Sequence, residues 1–118
     1  MIELTLNEAT PSLNKMIRLH WTVDRKLKAK WVKMVWVALR SQRMGPVQPF
    51  SRARVTITRI SPRMLDRDNL FSSVKHPLDG LKICSVIVDD SPEHIELIVR
   101  QEKGKAGTRI QIEPLCAA

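Results

Sequence analysis

The chain has 118 residues, 43% of them hydrophobic and 27% charged, with a formal net charge of +8. That length and balance fit one globular domain (1–118) with a real core, and they exclude a disordered chain. A pI near 10.1 points to a polyanionic partner, nucleic acid first.

In chain order, Ile2, Leu4 and Leu6 alternate with Glu3, Thr5 and Asn7, the pattern of a half-buried strand. Asn7 to Lys15, with Asn, Thr, Pro and Ser, is a loop. Leu27, Trp31, Met34, Val35, Ala38 and Leu39 recur at helical spacing and predict a long helix over about 22–42. Gly45, Pro46 and Pro49 mark a connection. Val55 and Ile57 alternate with Thr56 and Thr58 in a second strand over 54–60. A second helix is expected over about 69–82, capped by Asp68 and kinked or split by Pro77. Residues 94–101 and 108–113 predict two more strands, joined as a hairpin through Lys103–Gly107. The order β-α-β-α-β-β predicts an α+β fold, two helices packed on a small mixed or antiparallel sheet.

No apolar run is long enough to cross a bilayer. Met1-Ile2-Glu3-Leu4 lacks the basic and apolar blocks of a secretory leader, which predicts a cytoplasmic location. Cys84 and Cys116 are too few for a disulfide framework or a four-thiolate metal site, and Cys84 is expected to be a small buried apolar residue. Charge is shared unevenly. Residues 1–59 hold twelve Lys/Arg and three Asp/Glu, a net +9, while residues 60–118 net −1. The first half is therefore the candidate phosphate-binding region: Lys15, Arg18, Arg25, Lys26, Lys28, Lys30 and Lys33, with Arg63 nearer the acids. The alternative for the helix lysines is a solvated face.

The acids come in pairs. Asp66 and Asp68 are two apart just after a predicted strand, and in extended chain they would face one side. Asp89-Asp90 follows the apolar Val86-Ile87-Val88. If both pairs face one cavity, they form an all-oxygen site suited to Mg²⁺, the usual machinery for phosphodiester cleavage. The competing reading is structural, with Asp68 as a helix cap and Asp89-Asp90-Ser91-Pro92 as a turn. Trp31 fits the core face of the long helix. Trp21 and Trp36 lie off it, available to a dimer interface or to DNA stacking. Phe71 is expected in the core rather than as a wedge at DNA. No two of His20, His76 and His94 have metal-ligand spacing.

Asp66-Arg67-Asp68-Asn69-Leu70, then Lys75-His76-Pro77-Leu78-Asp79-Gly80-Leu81, then Val88-Asp89-Asp90 resembles the RusA family of Holliday junction resolvases. The early Pro11-Ser12-Leu13-Asn14-Lys15 is similar to that family's N-terminal loop, so the resemblance spans about residues 4–113. It implies a Mg²⁺-dependent endodeoxyribonuclease, with Mn²⁺ as a substitute. The enzyme would cut four-way junctions by paired nicks as a bacterial or phage-encoded homodimer serving DNA recombination and repair. It also implies Asp66, Asp68 and Asp90 as catalytic metal-binding carboxylates, Asp89 as a further ligand, and Lys75 as the catalytic lysine. Lys75 departs from the pattern: it lies seven residues after Asp68 where the family has four. The extra residues make nearly one helical turn, about 3.6 residues, which would return Lys75 to the same face. The alternative function is a non-catalytic basic DNA-binding protein.

Overall fold

A computed structural model of the chain describes residues 1–11, 21–42 and 48–115. The elements are β1 (Ile2–Leu6), α1 (Trp21–Ser41), β2 (Ala53–Ser61), α2 (Arg67–Ser73), α3 (Lys75–Ile83), β3 (Ile95–Lys103) and β4 (Gly107–Pro114). The fold is α+β. One four-stranded mixed sheet has the order β1-β4-β2-β3. β4 is antiparallel to both β1 and β2, and β2 is parallel to β3.

The alternation seen in the sequence decides which face is covered. Ile2 and Leu4 of β1, Val55 and Ile57 of β2 and Ile110 and Ile112 of β4 are buried on one face. Trp31, Val35, Ala38 and Leu39 of α1 and Leu78 and Leu81 of α3 complete that core. The other face carries ion pairs, among them Arg54 between Glu96 and Glu113. Between α1 and α3 the buried His76 sets Nε2 3.2 Å from Asp24 Oδ1. Its Nδ1 finds no partner.

Two expectations are corrected. The 103–107 connection is not a hairpin, because β3 and β4 flank β2 instead of pairing. Val55 and Ile57 are fully buried, so β2 takes the centre with a partner on each side. The link has only to cross two strand spacings, about 9.6 Å, and Gly104 N donates to Ser61 O at the end of β2 as it passes. The second helix is two helices, broken at Val74. Pro77 falls in the first turn of α3, where its missing N–H leaves no bond unmade. Together α2 and α3 make the crossover that a parallel pair requires.

Candidate functional site

After β2 the chain runs along the C-terminal end of the β2–β3 pair, where Gln101 of β3 clamps Leu65. Leu65 N donates to Gln101 Oε1 (3.0 Å), and Gln101 Nε2 donates to Leu65 O (2.9 Å). This double bond mimics strand pairing and fixes the residue before Asp66.

Asp66, not Asp68, is the N-cap of α2. Its backbone is extended, and its Oδ1 accepts from Asn69 N at 2.9 Å. Its Oδ2 accepts from Asn69 Nδ2 at 2.7 Å. Asn69 therefore grips both oxygens, and these bonds hold the Asp66 carboxyl below its usual range. Asp68 lies in the first turn of α2, a favourable place for an anion at the helix dipole. It is exposed and lines a groove of about 530 Å³ with Arg67, Leu70, Phe71, Ser72 and Val99. The two carboxylates thus belong to a cap and a helical turn, and the same-face argument for extended chain does not apply. Phe71, expected in the core, is 59% exposed.

Lys75 opens α3 and is exposed. Because α2 ends at Ser73 and a new helix begins, counting one turn from Asp68 along a single helix does not place it. Asp89 and Asp90 sit in the turn before β3. Lys82 Nζ lies 3.1 Å from Asp89 Oδ1. Bonds from Lys82 and from the Asp90 backbone N–H, with a lesser one from the Ser91 hydroxyl, outweigh desolvation and hold the Asp89 carboxyl down to about 2. Lys82 is in turn raised, mostly by Asp89. The chain enters this turn through Ser85, whose φ is 61°. There Ser85 N donates to Lys82 O and Val86 N to Leu81 O, the bond pair of a Schellman cap.

The two acidic pairs stand at opposite ends of β3. Asp66 follows the residue clamped by Gln101. Asp90 precedes Ser91, whose carbonyl accepts from His94 N and Ile95 N at the strand's start. Gln101 lies six residue steps along the strand from Ile95, about 20 Å. Among the described residues no group of three or more His, Cys, Asp or Glu is placed to hold a metal ion. The expectation of all four carboxylates around one ion is therefore not met within one chain. Their donor chemistry still fits a hard divalent cation, since Mg²⁺ commonly takes one or two carboxylates plus substrate phosphate and water.

Lys15 and Arg18 lie outside the described residues. On α1, Lys30 pairs with Glu8 (2.7 Å) and Lys28 with Asp79 (3.9 Å). Lys26 and Lys33 are exposed. Arg25, Lys28 and Lys33 rim a groove of about 560 Å³ walled by Val32, Trp36, Ile83 and Cys84. Trp31 is core, whereas Trp36 is half-exposed under the Arg40 guanidinium, 4.9 Å from its ring centre. Cys84 is half-buried on that groove, and burial raises its thiol pKa. Sequence reasoning missed Asn69, Gln101 and Arg59. Arg59 did leave a signal: it occupies the core-facing register of Val55 and Ile57.

No protein-family model matches the chain, and no curated protein matches it.

Proposed function

We propose that the protein is a Mg²⁺-dependent endodeoxyribonuclease that resolves four-way DNA junctions by paired nicks, acting as a homodimer. The observation that carries this reading is the Asp66-Arg67-Asp68-Asn69 turn. It offers an exposed carboxylate in a groove beside a second carboxylate that Asn69 locks in orientation. A hard cation held by Asp66 and Asp68 would polarise a scissile phosphate and activate a water. The chain's own residues do the rest. Asn69 and the Leu65–Gln101 clamp orient Asp66, Arg63 and Arg67 offer positive charge next to it, and the basic face of α1 holds the DNA backbone. Hydrolysis forms one bond from water oxygen to phosphorus and breaks P–O3′, leaving a 5′-phosphate and a 3′-hydroxyl.

With the two acidic pairs at opposite ends of β3, Asp89 and Asp90 would join Asp66 and Asp68 at one phosphate only from a second copy. A dimer built so has two sites for two opposed strands.

A second reading, a non-catalytic DNA-binding protein, is favoured by the structural work of Asp66 as a cap and Asp89 as an ion pair. Incubation of a synthetic junction with purified protein separates the two. Paired nicks that need Mg²⁺ and stop with a chelator support the nuclease, while tight binding with no cleavage under Mg²⁺ or Mn²⁺ supports the second reading.

A further inference from the structure

We infer that Arg59 anchors a phosphate-binding site at the C-terminal end of β2, and that the phosphate it takes belongs to the DNA backbone; the second clause rests on the nuclease reading above. Arg59 sits on the core face of β2 and is only 9% exposed. Its Nε donates to Thr10 O at 2.9 Å and its Nη1 to Arg63 O at 3.0 Å. Both acceptors are neutral carbonyls. A guanidinium carries five N–H donors, so most of the fork is uncommitted among the described residues. The Nη2 edge is not a buried orphan, since among the described residues the buried side-chain atom without a partner is His76 Nδ1.

Buried charges are ordinarily paired, yet this one has no acid. All twelve Asp and Glu side chains lie within the described residues. Ion pairs among them reach Lys28, Lys30, Arg54, Lys82 and Arg109, and Asp24 faces the His76 ring. Arg63 and Arg67, four and eight residues on, likewise have no acidic partner among the described residues and are exposed. Three arginines without an acidic partner among the described residues thus precede or interrupt the Asp66–Asp68 pair. Burial also lowers the Arg59 pKa, as desolvation of a cation does. The N–H groups of the fork that Thr10 and Arg63 do not take are donors that suit a phosphate oxygen.

The test compares wild type, Arg59→Lys and Arg59→Gln. The first arm measures Tm in inorganic phosphate against chloride at matched ionic strength. The second measures junction affinity across salt. Phosphate is expected to raise the wild-type Tm, with part of the rise kept by the lysine variant and none by the glutamine variant. Junction affinity of Arg59→Gln should fall about tenfold, and its salt slope by about one unit. A glutamine variant that melts lower in chloride but keeps the phosphate response and the salt slope overturns the site and leaves Arg59 a loop tether. If Arg59→Gln does not fold, the lysine variant decides: unchanged phosphate response and unchanged junction affinity overturn the site. A phosphate response lost in the variants with junction binding unchanged overturns DNA as the source. Phosphate and junction binding that depend on Arg59, in a wild type that never cleaves, would overturn the nuclease reading and support the site.

Discussion

Asp66 has two separable duties, cap and candidate ligand, and conservative substitutions part them. Asn caps about as well as Asp, so Asp66→Asn should keep a Tm within a degree or two of wild type and lose metal-dependent cleavage. Asp66→Ala should lose both, with Tm lower by a few degrees. Equal cleavage by wild type and Asp66→Asn would remove Asp66 from the chemistry. Asp89 makes a pH prediction. Its carboxyl falls from 3.8 to about 2 in the folded protein, so its contribution is fully present above the unfolded value. That contribution is lost as pH falls through about 2. The Tm difference between wild type and Asp89→Asn should therefore shrink steadily from pH 5 to pH 2, and it should be small throughout because the pair is exposed. Ser85 holds a left-handed backbone that costs a non-glycine residue about 1 kcal/mol. Ser85→Gly should raise Tm by a few degrees, read by thermal melting.

The elements show what the sequence made legible. Strict alternation in Ile2–Leu6 and Val55–Ile57, and the helical spacing of Trp31, Val35 and Leu39, located β1, β2 and the long helix because one face of each is buried against water. Strand neighbours were not legible. A five-residue link looks like a hairpin, and only the strand pairing shows that β2 sits between β3 and β4. The acidic segments were legible as chemistry but not as geometry. Which Asp caps α2 depends on Asn69, and the distance between the pairs depends on the parallel register of β2 with β3. Packing between α1 and α3 is tight at Gly80, where an added Cβ would lie 2.9 Å from Val35 Cγ2. Val35 is fully buried, which leaves it little room to move aside. Overpacking of about 1–3 kcal/mol outweighs the gain of about 1 kcal/mol in helix propensity. Gly80→Ala should thus lower stability in denaturant unfolding, and adding Val35→Ala should make the glycine substitution less costly. An unchanged midpoint for Gly80→Ala would show that the interface yields.

At the scale of the whole molecule, a sheet covered by helices on one face carries cations along α1 and carboxylates at both ends of β3. The proposed dimer predicts complementation. Asp68→Asn and Asp90→Asn proteins, each inactive alone, should regain single nicks when mixed, because one of the two shared sites in a mixed dimer keeps all its carboxylates. No recovery would place each site within one chain. The most direct measurement is cleavage of a synthetic four-way junction by wild type and by Asp68→Asn, with and without Mg²⁺, alongside binding at the same salt. The predicted result is paired nicks by wild type with Mg²⁺ alone, and a variant that binds the junction as tightly but does not cut. Junctions left intact by wild type under Mg²⁺ and Mn²⁺, or cut equally well by Asp68→Asn, would contradict the account.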